Sequence, residues 1–447
     1  MRFSVVVLLL LAATVFAVQT STCAAIDEFE QPPINYTRST PNNSVSLLQA
    51  QLASGKLKLD YDPQDGYLRA LLKALDVPVE SQMLVFSKTS MQRRRISPQT
   101  PRAIYFNDNV YVGYCQSGDV LEISAADPQL GAVFYTVDQR DADKVHLVRQ
   151  TEKCLTCHSS SLSGGIPGHV VRSLYADLTG EPIFSGGSRT VDHATPLADR
   201  WGGWYVTGTH GAQKHLGNLV ISGNRVEEPV NNTRGQNVVQ LGDRFAVDAY
   251  LAPHSDIVAL MVLEHQTLVH NCLTKASYAV RQALHYEKGM NQALGNPQGT
   301  RLESTTARIQ SAGDELVEAL LLVGEAKLTA PIRGTSGYAE KFARLGPRDS
   351  QGRSLRDLDL KERLFKYPCS YLIYSPAFDQ LPRETRDYVW KQLWAVLDGS
   401  KDLQRFGHLS PADRRAIVEI IRATKPDLPE YWRAKSVSLS SASYAER

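Results

Sequence analysis

Cys154-Leu155-Thr156-Cys157-His158 sets two thiols three residues apart and puts an imidazole directly after the second. Thiols at that spacing can each form a thioether with a vinyl group of haem, and the adjacent histidine is then held where it can bind the iron from one side. On this reading Cys154 and Cys157 attach one covalent haem c, His158 is an axial iron ligand, and the chain does redox chemistry outside the cytoplasm. Three other uses of Cys-x-x-Cys compete. A structural zinc site needs two more ligands; there is no second Cys pair, so His169 and Cys115 would have to supply them. A thioredoxin-like site needs a strand before the motif and a helix from its first cysteine, whereas Ser159 to Gly165 is a poor helix former. A structural disulfide has no use for His158.

Neighbouring residues bear on both faces of such an iron. Ile166-Pro167-Gly168 follows closely, and a proline there can wall the proximal side and present a carbonyl to the second nitrogen of His158. The competing reading is a plain Gly-Pro turn. For the sixth ligand the region offers His169, His193, His210 and His215. His210 and His215 are the candidates, because they lie in a Gly-rich stretch beside Trp201, Trp204 and Tyr205, whose rings can pack on a porphyrin. The alternative is a turn with surface histidines and core tryptophans. Bis-His ligation would give a lower potential than His/Met ligation. Further on, His265 and His270 are five residues apart, roughly 140° around a helix, so they do not form a metalloprotease pair. Contacts within a helical core, or to a haem propionate, suit them better. Arg172, Arg189 and Arg200 can pair with propionates or remain at the surface.

The elements that must position these residues change character along the chain. Residues 25–83 read as a polar, irregular arm with Pro32-Pro33 and an Asn42-Asn43 turn, then a short helix over Tyr67 to Leu75. Residues 84–250 form a strand-rich portion carrying the motif. Its runs Ile104 to Phe106, Val110 to Tyr114, Val120 to Ile123, Ala132 to Val137 and Val145 to Val148 are separated by turn residues. From 251 to 447 the chain turns helical: a long amphipathic helix from Ile257 toward Tyr286, then Glu315 to Leu322, Thr385 to Leu397 and Pro411 to Ala423. Ser410 is placed to cap the last of these, with Pro411 as its first residue. The fold class is α+β, a strand- and loop-rich haem-bearing portion followed by a mainly helical C-terminal portion.

At 447 residues, 43% apolar and 21% charged, the chain has the composition of a globular protein of about two domains. A net charge of +2 implies no polyanionic partner, and Arg93-Arg94-Arg95 is too short a run to suggest nucleic acid. Arg2, the apolar run Val5 to Phe16 and a small-residue site at Val15-Phe16-Ala17 or Thr22-Cys23-Ala24 read as a secretory signal over residues 1–24. The expected location is periplasmic or secreted, with lipid anchoring at Cys23 the lesser alternative and no membrane span in the mature chain. Cys115, Cys272 and Cys369 are left over, either as one disulfide plus a thiol or as three buried thiols.

Through Cys154, Cys157, His158 and Pro167 the chain resembles the c-type cytochromes, which implies the thioether roles and His158 as proximal ligand. Two longer stretches, Arg200-Trp201-Gly202-Gly203-Trp204-Tyr205-Val206-Thr207-Gly208-Thr209-His210-Gly211 and Tyr367-Pro368-Cys369-Ser370-Tyr371-Leu372-Ile373-Tyr374-Ser375, look like large uncharacterised single-haem proteins of the bacterial periplasm, a family that implies no particular reaction. The chain departs from small cytochrome c domains. Those have a helix around the motif and a later methionine ligand, whereas here the surroundings read as strand and loop and no methionine occurs between Met91 and Met261. Dihaem peroxidases carry two such motifs; this chain carries one. The expected function is one-electron transfer with an unidentified redox partner protein or small-molecule substrate. The alternative is a haem-dependent peroxidase or oxygenase with an open or displaceable sixth iron position.

Overall fold

A computed structural model describes residues 28–142, 144–227, 229–401 and 404–433. The expected signal segment and Cys23 lie outside the described residues. Six strands, β1 (Met83–Val85), β2 (Arg102–Phe106), β3 (Val110–Tyr114), β4 (Val120–Asp127), β5 (Gly131–Asp138) and β6 (Leu147–Gln150), form one antiparallel sheet in sequence order. The five turn-separated β-branched and aromatic runs of the sequence are β2 to β6; β1 is not among them, and β7 (Arg172–Leu174) pairs separately with β8 (Ser188–Thr190). Alternation puts one set of side chains on each face. Leu84, Tyr105, Val112, Leu121 and Ile123 pack with Phe29, Ile34 and Tyr36 of the N-terminal segment, while Met83, Val85, Phe106 and Tyr111 pack with the C-terminal helices. The sheet thus divides two hydrophobic cores.

The helices are α1 (Ser44–Ala53), α2 (Leu68–Ala74), α3 (Leu155–His158), α4 (Ile257–Leu294), α5 (Glu303–Leu320), α6 (Tyr338–Arg344), α7 (Pro376–Asp379), α8 (Arg383–Leu397), α9 (Pro411–Thr424) and α10 (Glu430–Arg433). The fold class is α+β, as expected. None of these helices is long and apolar enough to cross a membrane. Asp256 caps α4 by accepting from Val258 N and Ala259 N at 2.8 and 3.2 Å, and Gly295, with φ +66°, ends it. The first turns of α4, Ile257 to Leu263, are buried on every side. A helix apolar all round belongs in the middle of a core.

Four expectations need correction. The segment before residue 60 is not simply irregular: Asn43 accepts from Val45 N and Ser46 N and starts α1. α4 runs past Tyr286 to Leu294. α5 begins at Glu303, because Gly313 lies inside the helix; a Cβ there would come 2.3 Å from the Tyr388 ring on α8. Finally, the Cys-x-x-Cys-His segment is not loop: α3 is one turn of helix over it. The remaining cysteines Cys115, Cys272 and Cys369 are three buried free thiols, each pushed up to about 12 by burial.

Candidate functional site

Four residues after β6, the chain enters α3 with Cys154 already in helical conformation. At 3.6 residues per turn, Cys154, Cys157 and His158 project within roughly 100° of one another. The two thiols and the imidazole therefore share one face, while Leu155 is buried. Both thiols are free, Cys154 partly covered and Cys157 exposed. Ser160 accepts from Leu162 N, and Gly164 and Gly165 take positive φ of +78° and +75°, so the chain turns back sharply.

That reversal brings residues 166–169 behind His158, where each carbonyl has a partner. The Ile166 carbonyl accepts from Ser163 Oγ at 2.8 Å, that of Pro167 from Ala132 N at 3.0 Å, and that of His169 from Asn271 Nδ2 at 2.7 Å. The Gly168 carbonyl faces His158 Nδ1 at 3.0 Å, and Gly168 N donates to the His158 carbonyl at 2.8 Å. A carbonyl can only accept, so Nδ1 carries the proton and Nε2 keeps a free lone pair. Among the described residues Nε2 has no hydrogen-bond partner. Gly168 is required here: a Cβ would sit 2.5 Å from Asn271 Oδ1. Burial lowers the His158 pKa, opposed by the Gly168 carbonyl.

No family model, no curated protein and no solved structure matches the chain.

The sheet supplies the platform beneath the imidazole. Phe106, Tyr111, Ser124, Phe134 and Gln150 lie opposite one another across β2 to β6 and so share a face. Phe134 packs against His158 with ring centroids 4.7 Å apart. His169 lies over the same row: its Nε2 is 2.6 Å from Ser124 Oγ, and its ring centroid is 4.3 Å from that of Tyr111. Glu122, two residues along β4 from Ser124, pairs at 2.5 Å with Arg102, four residues along β2 from Phe106, whose guanidinium reaches over the gap left by Gly113. This pair is close enough to act on both Cys154 and His158. The buried Arg102 Nε has no partner.

The donor set fits a covalent haem. Two free thiols, one exposed and one partly covered, share one face with an imidazole of fixed tautomer, and a partly unpartnered guanidinium stands near. The strand β6 and the helical turn starting at Cys154 remove the objection that the sequence raised against a thioredoxin-like site. What opposes that rival is burial, which pushes the Cys154 thiol up to about 11, whereas a disulfide-exchange thiol needs a depressed value. Among the described residues no three His, Cys, Asp or Glu side chains gather to hold a metal.

His210 and His215 pack against each other with ring centroids 4.7 Å apart, and His215 against Trp201 at 5.2 Å. His210 Nε2 accepts from Asn237 N at 3.1 Å, and both Nδ1 atoms are buried without partners. Their contacts include none of the residues around His158. Arg200 is held by Glu264 at 2.7 Å, and Trp201 Nε1 donates to the same carboxyl at 2.5 Å. Burial raises Glu264 to about 7 despite that guanidinium. His193 Nδ1 lies 3.1 Å from His265 Nδ1, and His265 Nε2 lies 2.7 Å from Ser370 Oγ. Sequence reasoning flagged Pro167, Gly168 and His169 but missed Phe134, Ser124, Arg102 and Glu122. Their roles depend on cross-strand register, which no local pattern displays.

Proposed function

We propose that Cys154 and Cys157 bind one haem c covalently, with His158 as proximal ligand, and that the protein transfers single electrons with a redox partner protein or a small molecule. The hydrogen bond between His158 Nδ1 and the Gly168 carbonyl carries this reading. A ligating imidazole needs its second nitrogen held by an acceptor, which fixes the ring and raises the basicity of Nε2. Neither a disulfide nor a solvated histidine needs that support. When bound, the haem would supply a one-electron ferric/ferrous couple. The chain's own residues do the rest. Gly168 and Asn271 orient the imidazole, Phe134 covers one of its sides, and Arg102 offers charge to a propionate.

A second reading is a haem enzyme with an open sixth position. It is favoured by the contacts of His210 and His215, which are to each other, to Trp201 and to Asn237 and include none of the residues around His158. Protein expressed with haem-attachment machinery is expected to be coloured and to keep its pigment after denaturation. The Cys154→Ala/Cys157→Ala variant is expected to lose it. Colourless wild-type protein, or pigment retained by the variant, contradicts the assignment. Carbon monoxide and cyanide then separate the two readings: a spectrum indifferent to both supports electron transfer, and ligand binding supports the enzyme.

A further inference from the structure

A cavity of about 690 Å³ opens between α2, the β2–β3 turn and α6, and the haem reading makes no use of it. Sites for small molecules span roughly 300–1,000 Å³, so this volume suits one. Part of its wall is aromatic. The Tyr338 ring packs with Phe106 at a centroid distance of 5.5 Å and stacks with Phe342 at 5.8 Å. Leu345, 59% exposed, belongs to its rim.

Two donors in this wall lack acceptors. Tyr338 is only 4% exposed, yet among the described residues its hydroxyl has no hydrogen-bond partner. A buried tyrosine hydroxyl normally has one. Burial keeps that hydroxyl protonated far above its usual range, so it is available to donate. Arg356 lies against the Phe342 and Tyr371 rings, its Cζ 4.7 and 4.3 Å from their centroids. Its Nη2 donates to Asp108, while its buried Nη1 has no partner. Asp108 and Arg356 are both close enough to act on the Tyr338 hydroxyl, so the two unmet donors belong to one corner of the cavity. The charges there are already balanced. Asp108 neutralises Arg356, Glu80 holds Lys341 at 2.8 Å, and Asp65 holds Arg69 at 2.6 Å. Lys73 and Asp76 remain, of opposite sign and both exposed. A carboxylate ligand would bring a second negative charge up to Asp108, which is unfavourable. What the corner lacks is an uncharged acceptor.

We propose that this cavity binds an uncharged aromatic carbonyl compound. Its ring packs on the Phe106 and Phe342 side chains, and its carbonyl oxygen accepts from the Tyr338 hydroxyl, with Arg356 Nη1 as the second donor.

Equilibrium dialysis of the purified full chain against three naphthalenes of similar shape tests this. 2-Acetylnaphthalene carries the carbonyl, 2-ethylnaphthalene lacks it, and 2-naphthoate replaces it with a charge. One saturable site is expected for 2-acetylnaphthalene. Tyr338→Phe keeps the ring and is expected to weaken that probe by about three- to tenfold, the worth of one hydrogen bond, while leaving 2-ethylnaphthalene unchanged. An equal change for both probes, or none, overturns the proposal. So does tighter binding of 2-naphthoate, or the absence of a saturable site for 2-acetylnaphthalene. Should Tyr338→Phe not fold, nuclear Overhauser contacts between the acetyl methyl group and the Tyr338 ring of the wild type support the proposal, and their absence overturns it. None of these readouts depends on haem, so this site and the haem reading stand or fail separately.

Discussion

Gly168 does three things at once: its carbonyl holds His158, its amide donates to the His158 carbonyl, and its missing side chain leaves room for Asn271. Asn271 in turn accepts from His169 N at 2.9 Å and donates to the His169 carbonyl at 2.7 Å. Gly168→Ala would drive a methyl group to 2.5 Å from Asn271 Oδ1 and 3.1 Å from Ser163 Cβ. The expected cost is about 1–3 kcal/mol in urea unfolding, as for other overpacked sites. The His158 ring should also lose its single tautomer, read by nitrogen-15 NMR of the imidazole. Unchanged stability together with an unchanged tautomer would contradict this account. The motif and the Pro167-Gly168 turn were legible because they are short and local. The partners that hold them, Asn271 on α4 and Ala132 on β5, are distant in sequence, and nothing in a one-dimensional pattern marks a hydrogen bond across such a separation.

Element types were read well where periodicity was strong and poorly where one residue carried two signals. The strands β2 to β6 were legible because turn residues interrupt β-branched and aromatic runs. α9 was legible through its cap: Ser410 and Asp413 form a reciprocal capping box, and Pro411 occupies the first turn. Gly313 followed by Asp314 resembles a helix start, which places the expected helix at Glu315 although α5 begins at Glu303. In fact Gly313 is there for packing, since Tyr388 fills the space a Cβ would take and its hydroxyl bonds Asp314 at 3.1 Å. The two effects give opposite signs for Gly313→Ala. Helix propensity alone predicts stabilisation by about 1 kcal/mol. A contact of 2.3 Å to the tyrosine ring predicts net destabilisation. A lowered thermal midpoint is expected, and a raised one would mean that Tyr388 swings away freely.

Across the whole molecule, burial of polar groups along α4 and around it makes stability depend on pH in two opposing ways. His169, His193, His215, His265 and His270 are all buried. Burial lowers His193 and His270 from 6.5 to about 4 and His215 to about 3, with His169 and His265 also well below 6.5. Each contributes stability that is fully present above 6.5 and is lost as pH falls toward the folded value, because the unfolded chain takes up the proton first. Glu264 and Glu325 act the other way. Burial raises both from 4.5 to about 7, so the folded state holds their protons and gains stability as pH falls through that window. Five histidines outweigh two carboxyls between about pH 6.5 and 4.5, so the urea midpoint is expected to fall on going from about pH 7 to about pH 5. His215→Phe isolates one contribution: the ring packs on Trp201, its Nδ1 has no partner to lose, and phenylalanine cannot take up a proton. In that variant the acid slope of the unfolding free energy should flatten by up to about 1.4 kcal/mol per pH unit, the equivalent of one proton. A wild-type midpoint that holds or rises on acidification would mean that the carboxyls dominate and the histidines are not enclosed as described.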